Sequence, residues 1–352
     1  MIQGKILLLG LATLVVLVSA KCGNYNQNCG GCAAATSGFS KCVYCVGSGL
    51  CTDSDQADCD NVNIITHAFD CPRSPPNDWN YSDDFGRKKV LPLVCATNND
   101  GAGIQTCLDN NFQDTKLIKQ YTVKCDKDGD TCSAYLAVNK ADKSIIVAYR
   151  GSKGMMQLAV EGGDFLFNVV KAFPPTGGNV DKYFYDAYYD ILNLGLQSDL
   201  QLQIVANPTF ELWTVGHSLG GSMAAMAAAH FVKLNYFKTE KVKLFTVGEP
   251  RTGDISFAEG HDALVKYTYR IVNHRDIIVN MPARVYDDLF DSPFHHRFEI
   301  WYPHGMAVGQ GFQVCTRADD GACSNSINHD STDDHTHYFN VDMAAYSKNG
   351  CK

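Results

Sequence analysis

The sequence predicts an α/β fold, a mostly parallel sheet covered by helices, preceded by a small disulfide-rich module. Three observations carry that expectation. Strand-like and helix-like stretches alternate from about residue 88 onward. Residues 212–228 read Leu-Trp-Thr-Val-Gly-His-Ser-Leu-Gly-Gly-Ser-Met-Ala-Ala-Met-Ala-Ala, an apolar strand running through a glycine-bracketed serine into an alanine-rich helix. Eight of the fifteen cysteines fall between Cys22 and Cys71, and the other seven are spread over the rest of the chain. That change in cysteine density divides a stapled module from a larger domain with its own core.

Residues 1–20 read as a secretory signal peptide: Lys5, an apolar or small run over residues 6–18, and Val18-Ser19-Ala20 before Lys21. The run is shorter than the roughly twenty residues of a spanning helix, so no transmembrane anchor is expected. The mature chain is expected to be secreted and extracellular, where the environment oxidises thiols. Residues 21–71 then form the cysteine-rich module. Cys29-x2-Cys32 and Cys42-x2-Cys45 have zinc-ribbon spacing, but after an export signal disulfides are the expected chemistry. The order Cys22, Cys29, Cys32, Cys42, Cys45, Cys51, Cys59 resembles the plexin-semaphorin-integrin module, with Val43-Tyr44 where that module often has Gly-Trp. Its expected role is a structural cap, with docking to an unknown partner as the alternative. Residues 72–87, carrying Pro72, Pro75, Pro76, Asn77 and Asp78, are expected to link it to the domain at 88–352. Asn80-Tyr81-Ser82 is a usable glycosylation sequon.

Within 88–352 the expected strands are 135–139, 144–149, 212–215, 243–247 and 269–272, and the expected helices are 182–203 and 219–232. Asp126-x-Asp128-Gly129-Asp130 resembles part of a calcium loop, but it lacks the terminal glutamate and reads better as a hairpin turn. The net charge of −8, without a lysine or arginine patch, argues against nucleic acid as a partner.

Gly216-His217-Ser218-Leu219-Gly220 is the pattern that holds a serine at the apex of a strand-to-helix turn. A serine hydroxyl needs a histidine base, itself oriented by a carboxylate, and on such an elbow the order is Ser, Asp, His. Asp276, in Asn273-His274-Arg275-Asp276 just past a buried strand, is the best acid. Six histidines follow it: His295, His296, His304, His329, His335 and His337. His295 and His296 precede a strand and read as structural. Between His335 and His337 composition does not choose.

From about residue 88 onward the chain resembles the class 3 lipases, fungal-type triacylglycerol lipases of the α/β-hydrolase fold. Five stretches carry the resemblance in the family's order. They are Tyr149-Arg150-Gly151-Ser152, Gly216 to Gly221, Gly248-Glu249-Pro250-Arg251-Thr252-Gly253-Asp254, Asn273 to Asp276, and His335-Thr336-His337-Tyr338-Phe339. The resemblance implies Ser218 as nucleophile, Asp276 as acid and His335, three residues before Tyr338-Phe339, as base. It assigns the oxyanion donors to Ser152, through its N–H and hydroxyl, and to the N–H of Leu219. His295, Glu299 and Trp301 match the family's structural His-x-x-x-Glu-x-Trp strand. Residues 153–161 fall where the family carries an amphipathic lid, but lack its usual Trp or Asn-Trp, and a short buried helix is the alternative. No cofactor or metal is implied. The partners implied are a lipid or other acyl-ester substrate and transient contact with a lipid interface.

The function expected is therefore a secreted serine esterase acting on lipid acyl esters, most of all triacylglycerol. The alternatives are a phospholipase or non-lipid carboxylesterase, and a non-catalytic lipid- or surface-binding protein on the same fold. Among the remaining cysteines, Cys315 is expected to pair with Cys323, Cys125 with Cys132, and Cys351 with Cys95 or Cys107.

Overall fold

The structure is a computed structural model and describes residues 21–38, 40–125, 129–151, 169–284 and 292–352. It divides into two units, Met1–Cys71 and Pro72–Lys352.

In the first unit, strand Ser40–Cys45 pairs antiparallel with Thr36–Ser37, Leu50–Asp53 and Ile64–Ile65. Its apolar core is small, centred on Tyr44, Ile65 and buried half-cystines. The disulfides Cys22–Cys42, Cys29–Cys71, Cys32–Cys51 and Cys45–Cys59 supply the missing restraint by limiting the unfolded chain. All eight cysteines of the unit are thus paired, and no thiolate set of the zinc-ribbon kind is left.

The second unit is built on eight strands whose order in space follows their order in the chain. They are β1 (Thr115–Lys124), β2 (Thr131–Asn139), β3 (Ser144–Arg150), β4 (Glu211–His217), β5 (Val242–Val247), β6 (Tyr267–Asn273), β7 (Glu299–Tyr302) and β8 (Gln313–Val314). The pairs from β3 to β7 are parallel, and β1–β2, β2–β3 and β7–β8 are antiparallel. The central strands are apolar on both faces because both are covered. In β3, Ile145, Val147 and Tyr149 enter one core while Ile146 and Ala148 enter the other. The first core is closed by α1 (Lys182–Ile191), α2 (Gln197–Ala206) and α3 (Leu219–Lys233), the second by helices Leu91–Ala96 and Gly101–Asn111.

The single helix expected over 182–203 is broken. A π-turn at Leu192–Leu196 separates α1 from α2, and Gly195 there has φ 114°, a conformation glycine adopts freely. Residues 72–87 do not behave as a free spacer. Trp79 stacks on Tyr269 with ring centroids 4.8 Å apart and donates to the Thr268 carbonyl at 3.0 Å. The Tyr81 and Tyr302 hydroxyls share a 3.0 Å hydrogen bond, and a helical segment begins at Asp83. The prolines and Asn-Asp turn chemistry set the path, and the two aromatic residues fix the segment to the domain.

Three disulfides join Cys107 to Cys351, Cys125 to Cys132 and Cys315 to Cys323, leaving Cys95 as a buried free thiol. Burial pushes the Cys95 thiol well up, so it stays protonated. The Cys125–Cys132 link ties the ends of β1 and β2. Residues 126–128 lie outside the described residues.

Candidate active site

Strand β4 delivers its chain to the carboxyl edge of the sheet, the edge on which ligands of parallel α/β sheets bind. There Ser218 takes φ 55° and ψ −132°, a strained conformation for a residue with a Cβ. The turn stays closed because Ser218 N–H donates to Val247 O at 2.9 Å and Gly221 N–H to Ser218 O at 2.8 Å. Glycine is required at two neighbouring positions. A Cβ on Gly216 would overlap the Gly220 carbonyl, and one on Gly220 would overlap the Tyr149 carbonyl of β3.

Three predicted residues meet at this point. Ser218 Oγ lies 2.9 Å from His335 Nε2, and His335 Nδ1 lies 2.9 Å from both Asp276 carboxylate oxygens. All three side chains are buried. Burial alone would push the Asp276 carboxyl up; the His335 ring and hydrogen bonds from His335, Tyr338 and the Ile278 N–H more than reverse this. The carboxyl therefore sits below its ordinary value and is ionised near neutral pH. With an acceptor at Nδ1, the neutral imidazole carries its proton there, which leaves Nε2 free to accept the serine proton.

The segments that carry Asp276 and His335 are stitched to each other directly. Asn273 Nδ2 donates to the carbonyls of Asp334 and His337 at 3.1 and 2.7 Å. Ser331 N–H donates to Arg275 O, and Ile277 N–H to Ser331 O. Tyr338, which the sequence marked only as a landmark, donates to Asp276 Oδ2 at 2.6 Å. Burial and that carboxylate push its hydroxyl well above the ordinary value, so it remains a donor. His217 was likewise only a motif position. Its Nε2 donates to the His335 carbonyl at 2.9 Å and its ring stacks on the His335 ring at 4.5 Å. Burial, then the neighbouring His335, pushes His217 down to about 3, so it is neutral at working pH.

Of the two oxyanion candidates, Leu219 is the first residue of α3, where an N–H has no intrahelical acceptor. Ser152 lies outside the described residues, as do residues 153–161 and the expected lid. Gly151 is packed so closely on Leu219 that a Cβ there would meet the Leu219 Cβ.

His295, His296 and His337 are employed elsewhere. His295 Nε2 donates to Val279 O at 2.7 Å and His296 Nε2 pairs with Glu249 Oε1 at 3.0 Å, both deeply buried. Glu299 accepts from the Ser324 N–H, and Trp301 donates to His274 O. His337, although two residues from His335, is exposed and contacts Thr336 Oγ1 and Asp333 O.

The lipase (class 3) family profile matches residues 146–286. Over 305 residues the chain is 30% identical to Lipase ZK262.3 of Caenorhabditis elegans, an alignment covering 78% of this chain and 84% of that protein. The chain belongs to the class 3 lipases. This class 3 lipase is also 30% identical over 232 residues to a lipase of Rhizomucor miehei, covering 65% of this chain but only 60% of that protein. Among solved structures, the lipase of Rhizopus microsporus var. chinensis superposes with a TM-score of 0.64 at 22% identity, covering 78% of this chain and 94% of the other. A triacylglycerol lipase whose catalytic centre is described as a serine protease triad superposes with a TM-score of 0.64 at 25% identity, covering 75% and 97%. The class 3 lipase therefore has the α/β-hydrolase fold and is a carboxylic ester hydrolase of the triacylglycerol-lipase kind, with lipid esters as substrates.

Proposed function

We propose that this lipase is a secreted enzyme that cleaves triacylglycerol through an acyl-enzyme on Ser218. The observation that carries the reading is the unbroken hydrogen-bonded chain from Ser218 through His335 to Asp276 at the carboxyl edge of the sheet. Ser218 Oγ attacks the acyl carbonyl as His335 takes its proton. His335 then hands that proton to the departing glycerol oxygen. Asp276 orients the ring and stabilises the imidazolium that forms. The N–H groups of Leu219 and Ser152 receive the developing oxyanion, each such donor being worth on the order of 10² to 10³ in rate. Water enters by the same route in reverse and releases the fatty acid. The triad side chains, the two backbone N–H groups and water supply the groups this acyl transfer needs.

Export is supported by the leader-like residues 1–20 and by the seven disulfides, which need an oxidising compartment. No described helix is long and apolar enough to cross a membrane. We assign residues 21–71 the role of a structural cap.

The substrate reading is tested by following the rate on a triacylglycerol of limited solubility as its concentration passes the point of emulsification. A rise in rate once droplets form is the expected result. A rate that saturates in the dissolved range and stays flat would favour a non-lipid carboxylesterase, and preference for phospholipid vesicles a phospholipase.

A further inference from the structure

Asn80-Tyr81-Ser82 is the one Asn-x-Ser/Thr sequence in the chain without an intervening proline, and ester hydrolysis makes no use of it. Its geometry follows from extended backbone, in which alternate side chains point to opposite sides. Trp79 and Tyr81 turn inward. Trp79 lies edge-on to Phe298 as well as stacked on Tyr269, and the buried Tyr81 ring lies edge-on to Phe312 at 5.1 Å. Asn80 and Ser82 take the outer side, and both are exposed. Ser82 is extended, with φ −135° and ψ 150°, and its Oγ accepts from the Phe85 N–H at 3.1 Å as the cap of the helical segment that follows. The amide and the hydroxyl of the sequon therefore lie on one solvent-facing side. Asn207-Pro208-Thr209 is the contrast: proline follows the asparagine, whose Nδ2 donates to Gln203 O at 3.0 Å at the end of α2.

We infer that Asn80 is a site of N-glycosylation, and that the sugar is attached before residues 72–87 dock on the domain. The inference rests on the export reading, because the donor, an oligosaccharide linked to a lipid pyrophosphate, is a reagent of the secretory route. In the transfer Asn80 Nδ2 forms a bond to C1 of the first sugar as the C1–O bond to the pyrophosphate breaks. Nδ2 loses one proton, and the lipid pyrophosphate leaves with the bonding electron pair. The order follows from the packing. A transferase has to take hold of the amide and the Ser82 hydroxyl together. In the folded chain the residue between them is held by Tyr302 and Phe312, and the hydroxyl is engaged by the Phe85 N–H. The docked segment still accommodates the product, since a bulky, solubilising sugar on the exposed Asn80 extends into solvent while Trp79 and Tyr81 stay in place.

Two measurements test this. The full chain is expressed in exporting eukaryotic cells, and the protein in the medium is weighed intact before and after peptide N-glycosidase. Wild type should lose one glycan's mass, with Asn80 converted to aspartate in the peptide map and Asn207 unchanged. S82T, which keeps both the acceptor hydroxyl and the helix cap, should carry the glycan; N80Q and S82A should lose it. For the order, unmodified wild type is collected from cells in which synthesis of the lipid-linked donor is blocked. It is offered to purified transferase and donor either folded or as a tryptic digest, in which residues 74–87 form one peptide. The peptide should accept the sugar and the folded chain should not. Exported wild type without sugar on Asn80 overturns the site, and a folded chain modified as readily as the peptide overturns the order. The failure of the export reading looks different: a chain retained in the cytosol with residues 1–20 still attached removes the route to the donor, and the glycan with it.

Discussion

Replacing Ser218 with alanine should lower kcat on a dissolved p-nitrophenyl ester by on the order of 10⁵ to 10⁶ while leaving the circular dichroism spectrum unchanged. In the proposed mechanism the loss is large because the serine oxygen is the atom that forms the covalent bond, and what remains is only binding and oxyanion stabilisation. The fold should tolerate the change. The Ser218 side chain's hydrogen bond is to His335, while the elbow is held by backbone bonds from Ser218 to Val247 and from Gly221 to Ser218. Turnover within tenfold of wild type would mean that the nucleophile is elsewhere.

Replacing His335 with alanine should cost a similar factor, and the S218A/H335A double variant should be no worse than either single one. Nucleophile and base act as a unit, so their losses do not add. The control is H337A, expected to stay within about threefold of wild type, because its ring is exposed and makes only local contacts with Thr336 and Asp333. The Asn273 hydrogen bond nearby goes to the His337 carbonyl, which alanine keeps. Loss of activity in H337A with retention in H335A would reverse the assignment of the base.

Much of this site could be read from the chain because its chemistry is carried by local pattern. The elbow is a strand, a tight turn and a helix contiguous in sequence, so its glycines and apolar runs announce it. Asp276 follows a buried strand that is equally visible. The choice of His335 over His337 came only from resemblance, since both lie in one polar stretch and burial separates them in space rather than in pattern. Tyr338 and His217 contact the site through partners 62 and 118 residues away. No periodicity reports such contacts.

The fold shows the same division. Strand β3 was legible over 144–149 because both its faces are apolar, whereas β1 at the sheet's edge, with many exposed and half-exposed positions, gave no clear signal. The break at Gly195 was hidden within a run of good helix formers. The aromatic anchors at Trp79 and Tyr81 were masked by the prolines before them. Cys107 rather than Cys95 pairs with Cys351 because of how two adjacent helices present them, which spacing alone leaves open.

The central claim is that Ser218, activated by His335, is the residue that carries the acyl group. Treating the full-length protein with a fluorophosphonate ester, then reading intact mass and mapping the adduct by peptide sequencing, tests it most directly. The account predicts one equivalent of adduct, located on Ser218, with turnover lost in proportion to labelling and labelling greatly slowed in H335A. An adduct on another residue that tracks the loss of turnover would contradict it, as would full turnover in protein fully labelled at Ser218.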